Sequence, residues 1–142
     1  MVLQLDGPPC RCGSRGCAET YISQRAVSHD ITGHAEPVLA IDEIAARVRS
    51  GDASAVAAAR RAGRYLGMLM QNICNTLDPA VIVLGGPMAQ LGPVFLDAAR
   101  ECFVGLQGRY AFHTTQVRHC RFGINACAVG AAGALLHEAF LA

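Results

Sequence analysis

The chain has 142 residues, 52% of them hydrophobic, and a mean hydropathy of +0.30, which suffices for one domain with an ordinary core. Its formal charge is +1 and its arginines are spread along the chain rather than massed, so the electrostatic footprint of a nucleic-acid-binding surface is absent and no direct nucleic-acid partner is expected. No window approaches the ~20 consecutive apolar residues of a membrane span, and the N-terminus carries no basic-then-apolar leader, so the reading is a cytoplasmic protein without membrane contact.

In chain order, "VLQL" (2–5) reads as the end of a short strand, and "DGPP" turns the chain because Pro fixes φ and Gly tolerates positive φ. A cysteine-rich loop, 7–19, follows at once. "AETYISQRAVS" from Ala18 reads as a short helix, and "HDITGHAEPVL" as a polar connector. "IDEIAARVRS" then places Ile41, Ile44, Ala45 and Val48 on one helical face. The most regular segment runs from Asp52, a good N-cap, to Leu77, where "DP" stops it. Within it Val56, Ala59, Gly63, Leu66, Met70, Ile73 and Leu77 recur at alternating three- and four-residue steps, which predicts a central packing helix. "AVIVLGG" (80–86) is a continuous β-branched run closed by glycines, as expected of a strand buried on both faces. A helix over 93–107 should bury Phe95, Ala99, Cys102 and Phe103. "TQVRHCRF" reads as a second strand and "NACAVGAAGALLHEAFL" as a closing helix. The order helix, strand, helix, strand, helix points to an α/β fold with helices on a largely parallel sheet, in a single domain spanning 1–142.

All twelve basic residues are Arg, so neither a phosphate-loop lysine nor a Schiff-base lysine is available. Of the seven cysteines, Cys74, Cys102, Cys120 and Cys127 sit singly in apolar stretches and read as small buried hydrophobes. The cluster in "PCRCGSRGCAE" is of another kind. Cys-x-Cys-x₄-Cys on a glycine-rich turn lets the backbone bring Cys10, Cys12 and Cys17 within the ~2.3 Å reach of a zinc–sulfur bond. The alternatives are a redox pair or three unrelated thiols; three cysteines in so short a glycine-rich stretch favour the metal. No fourth ligand is visible locally.

These residues also carry a resemblance. "DGPPCRCGSRGCAETYIS" resembles the cysteine motif of the ROK family of bacterial repressors, open reading frames and sugar kinases. "NTLDPAVIVLGGP" and "GINACAVGAAGALL" are similar to two later stretches of that family, so the resemblance runs from Met1 to about Leu136. It implies an actin-like, ribonuclease-H-like fold of two lobes, of which this chain is the C-terminal one.

In the family pattern a Gly-His pair stands just before the position of Met1, and its histidine completes a zinc site with three cysteines that match Cys10, Cys12 and Cys17. Here His29 or His34 is the available substitute; His113, His119 and His137 read as surface or structural histidines. The resemblance makes Glu19 the one sugar-binding position present, and a carboxylate beside a rigid metal loop suits sugar hydroxyls. The other reading of Glu19 is an acidic residue favoured in a first helical turn. "LGGP" (84–87) resembles the family's adenosine motif; Gly85 and Gly86 match, whereas Pro87 stands where kinases carry a third Gly, so ATP is not expected to bind this chain alone.

The phosphate-binding turn and catalytic Asp of the family's kinases belong to the other lobe, so no catalytic residue is assigned and no kinase activity is expected of this chain by itself. With Pro87 as the discriminator, the chain is read as a sugar-sensing, oligomerising lobe of a ROK-type transcriptional regulator that binds zinc and, weakly, a sugar. The alternatives are the corresponding lobe of a glucokinase-like enzyme and a stand-alone zinc-stabilised dimerisation module. A lobe with uncovered apolar surface is expected to form a homo-oligomer, a dimer at least.

Overall fold

The computed structural model describes residues 1–34, 36–106 and 115–141. Six α-helices run through them: α1 (Glu19–Ile22), α2 (Gln24–Thr32), α3 (Ile41–Arg49), α4 (Ala53–Leu77), α5 (Pro93–Leu106) and α6 (Ala126–Leu141). Two strands, β1 (Val81–Leu84) and β2 (Gln116–His119), pair in parallel from Val81↔Gln116 to Leu84↔His119. A parallel pair needs a crossover, and α5 supplies it. Short 3₁₀ segments, Pro87–Leu91 and Gly123–Asn125, precede α5 and α6.

The N-terminal stretch does not make the expected strand. Val2 forms one isolated antiparallel bridge with Cys17, and Pro9 another with Arg15, so the segment folds back on its own loop instead of joining the sheet. The helix expected from Ala18 is broken in two at Ser23, whose extended backbone ends α1 and whose hydroxyl caps α2 by accepting from the Ala26 amide. α2 then continues through "HDIT", four residues of the expected connector. What remains of that connector is tied to α2: buried Ser28 accepts from the Leu39 amide at 2.9 Å, and Gln24 donates to the Leu39 carbonyl at 2.8 Å.

α4 is the organising element. Asp52 caps it by accepting from the Ala55 amide at 3.0 Å, and Asp78, in the left-handed region at φ 44°, ends it. At 1.5 Å per residue it is roughly 37 Å long. Its buried residues are Ala55, Ala58, Ala59, Ala62, Gly63, Gly67 and Met70. That face is shifted toward the small residues relative to the expected stripe, and Leu77, expected to be buried, is exposed. The cause is α5, which packs so closely that a Cβ at Gly67 would lie 2.5 Å from the Ala99 carbonyl oxygen and 2.7 Å from Cys102 Cβ. Two apolar groups result. Val27, Ile44, Ala45, Val48, Ala59, Leu91 and Phe95 pack at one end of α4, and Met70, Ala99 and Phe103 at the other, against Ile82, Leu84 and Val117 of the strands.

β1 is buried on one face only. Ile82 and Leu84 face the helices, whereas Val81 and Val83 are exposed. α6, for all its apolar residues, is exposed at its described residues after Ala126, Leu135, Leu136 and Phe140 among them. The lone cysteines are accordingly less buried than expected: Cys74, Cys102 and Cys120 are half-buried, and Cys127, on α6, is exposed. α5 ends at Leu106, so Gln107 of the expected helix, like His113, lies outside the described residues. Among the described residues no helix is long and apolar enough to cross a membrane.

Candidate functional site

The cysteine loop is shaped by its glycines and backbone hydrogen bonds. Cys10 donates to the Ser14 carbonyl at 2.8 Å and Gly13 to the Cys10 carbonyl at 3.0 Å, closing a tight turn, and Gly16 donates to Pro8 at 2.8 Å. Gly13 and Gly16 have φ of 88° and 61°, which side chains rarely tolerate. A Cβ at Gly16 would also collide with the Gln4 carbonyl oxygen. Glycine is therefore required at that crossing, which packs the loop onto the N-terminal segment.

The loop gathers its three thiols. The Sγ atoms of Cys10, Cys12 and Cys17 all lie within 4.8 Å of one another, with Cys12 and Cys17 at 3.6 Å. Bonds of ~2.3 Å in a tetrahedron require sulfur–sulfur separations of about 3.8 Å, so only small side-chain adjustments separate this set from three vertices of a zinc site. Cys17 is buried, Cys10 half-buried and Cys12 exposed, leaving a side open for a fourth donor. A backbone hydrogen bond from Ser14, helped by the thiols of Cys10 and Cys17, holds the Cys12 thiol below its ordinary pKa. Cys17 is pushed up, chiefly by its hydrogen bond with Cys12 and then by burial. One thiol favouring the anion beside another favouring the proton is what a crowded, uncompensated sulfur set produces, and a dication would reverse the second effect.

Among the described residues, these three cysteines are the only group that converges in this way. His29 and His34 do not join it: their rings lie 4.8 Å apart, tilted against each other, and His29 Nε2 is 3.6 Å from Glu36. Glu19 is the first residue of α1, two positions after Cys17, and exposed. Its carboxylate has no hydrogen-bond or ion-pair partner among the described residues and is free to accept from a ligand.

Gly85 and Gly86 follow β1 on a separate part of the fold. A Cβ at Gly85 would come 2.8 Å from Cys120 Cβ and 3.3 Å from Ala126 Cβ, so this glycine lets the strand ends and α6 meet. Gly86, buried at φ 91°, turns the chain into the 3₁₀ segment that Pro87 begins, and no atom lies within 4 Å of where its Cβ would be.

One groove carries no sequence motif. It encloses about 580 Å³ between Leu3 and Gln4 on one side and Ala57, Arg60, Arg61, Arg64, Tyr65 and Met68 of α4 on the other. Tyr65 stacks on Tyr21 with ring centroids 4.0 Å apart, and Tyr21 donates to Gln4 at 3.0 Å. Burial pushes the Tyr21 hydroxyl up, with Tyr65 adding to the shift. Only the fold reveals the wall opposite these arginines.

The ROK family model matches residues 1–138. The xylose repressor of Bacillus subtilis is 31% identical over 101 residues, 71% of this chain and 26% of that protein. A ROK glucokinase from Streptomyces griseus, solved with glucose and AMPPNP, superposes with a TM-score of 0.79 at 28% identity, covering 94% of this chain and 48% of that one. A ROK transcriptional regulator, a homologue of the Escherichia coli MLC protein, superposes at 0.77 with 27% identity, covering 93% and 36%. The chain thus spans between about a quarter and half of the length of these relatives, and its actin/hexokinase-type fold is shared by repressors and sugar kinases alike. On the match over nearly its whole length, the chain belongs to the ROK family.

Proposed function

We propose that these 142 residues are the C-terminal lobe of a ROK transcriptional regulator, serving as its sugar-sensing and self-associating part. The observation that carries this reading is the convergence of three thiols two residues before an unpartnered, exposed carboxylate. Cys10, Cys12 and Cys17 would hold a zinc ion, with the fourth ligand from outside the loop, and the ion's contribution is rigidity. Glu19, launched from that loop, would accept hydrogen bonds from two sugar hydroxyls. The exposed faces of α6 and of Val81 and Val83 are where a second lobe would seat. Pro87 supports a regulator over a kinase: it begins the 3₁₀ segment after Gly86, removing an N–H where a nucleotide would approach the backbone.

The second reading, the same lobe of a sugar kinase, is favoured by the likeness to the glucose- and AMPPNP-bound glucokinase. Calorimetry of the chain with a panel of hexoses and amino sugars, beside a coupled assay for ADP release, separates the two. Phosphoryl transfer needs an in-line arrangement of hydroxyl, γ-phosphate, magnesium and base, and the lobe offers Glu19 alone toward it. Sugar binding no tighter than about millimolar, lost in Glu19→Ala and accompanied by no ADP release, is expected. Sugar-dependent ADP release that disappears in Glu19→Ala would overturn the regulator reading.

A further inference from the structure

The groove between the N-terminal segment and α4 combines hydrogen-bond donors with apolar surface and carries no negative charge. Of its three arginines, Arg61 is already engaged: it donates through Nε at 3.0 Å and through Nη2 at 2.5 Å to one carboxylate oxygen of Asp30 on α2. Arg60 and Arg64, one turn apart on α4, have no hydrogen-bond or ion-pair partner among the described residues, and no acidic side chain lines the groove. On the opposite wall the Oε1 of Gln4 accepts from the Tyr21 hydroxyl at 3.0 Å. The Gln4 amide nitrogen, a donor, has no partner among the described residues. Leu3, Ala57, Met68 and the Tyr65 ring supply the apolar lining, and Tyr65 is held by its stacking on Tyr21.

The spacing of the free arginines and the size of the groove decide what fits. Residues four apart on a helix have Cβ atoms ~5–6 Å apart, and each guanidinium group presents a planar fork of donors that takes one pair of oxygens. A carboxylate occupies one such fork. A phosphate monoester, tetrahedral and dianionic, has oxygens for both, and its second charge is met by the second guanidinium group. The volume of about 580 Å³ is that of a small-molecule site rather than a site for a bare ion. The apolar lining then requires an apolar body behind the charged head, since a polar one would give up its water there without partners.

We infer that this groove binds a small organic phosphate, a monoester whose dianionic head bridges Arg60 and Arg64 and whose apolar, ring-sized body lies along Leu3, Tyr65 and Met68. Because Leu3 also donates to the Gly16 carbonyl at 2.8 Å, a ligand spanning the two walls ties α4 to the cysteine loop. Neither the three thiols nor Glu19 takes part, so failure here would leave the sugar-sensing reading standing.

Calorimetry of the 142-residue chain with naphthyl phosphate tests it, with inorganic phosphate and naphthol as the two halves of that probe offered separately. The ester is expected to bind once per chain, at least tenfold more tightly than either half, and to weaken as salt is raised, because charge pairs in an open groove are screened. Arg60→Gln with Arg64→Gln should weaken the ester at least tenfold and leave naphthol unchanged, whereas Met68→Ser should weaken both. Arg49→Gln, which removes the same kind of charge from the end of α3, should alter neither. Arg64→Gln alone, at an exposed position, carries the same expected direction should the double variant fail to fold. Asp30→Asn, which releases Arg61 into the groove, should tighten the ester at least twofold. No binding of naphthyl phosphate, either half binding as tightly as the ester, or an equal loss in the Arg49 variant and in the arginine pair would overturn the inference.

Discussion

At the scale of single residues, the cysteine loop is where spacing translated most directly into geometry. Cys-x-Cys-x₄-Cys with interleaved glycines was enough to expect one converging thiol set, because a tight turn admits few other arrangements. The fold brings the three Sγ atoms within 4.8 Å of one another. The fourth donor was not legible, and among the described residues neither His29 nor His34 joins the three thiols. The chemistry of the trio gives a measurement. Protein purified without added zinc should carry close to one equivalent by elemental analysis, and Cys12→Ser or Cys17→Ser should lower it to about a tenth or less, since two thiolates hold zinc far more weakly than three. Cys74→Ser, remote from the loop, should leave the content unchanged. Bound metal should fall as pH is lowered, because each ligand must be a thiolate and protons compete for it. Equal metal in all three variants would show that these thiols are not ligands.

At the scale of elements, the helices were more legible than the sheet. Ile44, Ala45 and Val48 bury the predicted side of α3, and Asp52 caps α4 as its position suggests. The buried face of α4 keeps Ala59, Gly63 and Met70 of the hydropathic stripe but turns from Leu77 toward Ala55, Ala58, Ala62 and Gly67, because close approach to α5 selects small residues. Gly63 and Gly67 are buried where α5 crosses, and at each the nearest obstacle to a Cβ is an α5 carbonyl oxygen, not the tip of a flexible side chain. Gly67→Ala should therefore destabilise the chain by about 1–3 kcal/mol in urea unfolding, the usual cost of overpacking, although alanine is the better helix former by about 1 kcal/mol. Ala57→Gly, on an exposed side of the same helix, should lose only about that propensity difference. A neutral or stabilising Gly67→Ala would mean that α4 and α5 pack less closely than described. The strand β1 departs from expectation for a different reason. A continuous apolar run indicates that both faces expect cover, but it does not say which polypeptide provides it, and Val81 and Val83 find none among the described residues.

At the scale of the whole molecule, burial is uneven. Ala55, Ala59, Ala62, Met70, Phe95, Ala99 and Phe103 are at most 2% exposed, so α4 and α5 form a unit that opens only when the domain does. α6 is apolar in sequence but none of its described side chains is buried. Its connection to the rest is made at its start, where Gly85 and Cys120 meet Ala126. A helix of 16 residues without packing is marginal in water, because most helical stability comes from an apolar face covered by something else. Amide exchange should expose this contrast. In the isolated chain, amides of α4 between Ala59 and Met70 should exchange only through global unfolding, while those of α6 between Gly130 and Phe140 should exchange at least about a hundredfold faster, through local opening. On the proposed reading a second lobe seats on α6 and on the exposed side of β1, so supplying one in trans should slow α6 and leave α4 little changed. Were α6 as protected as α4 in the chain alone, its apolar side would have to be covered already, by another copy of the chain seated on that helix.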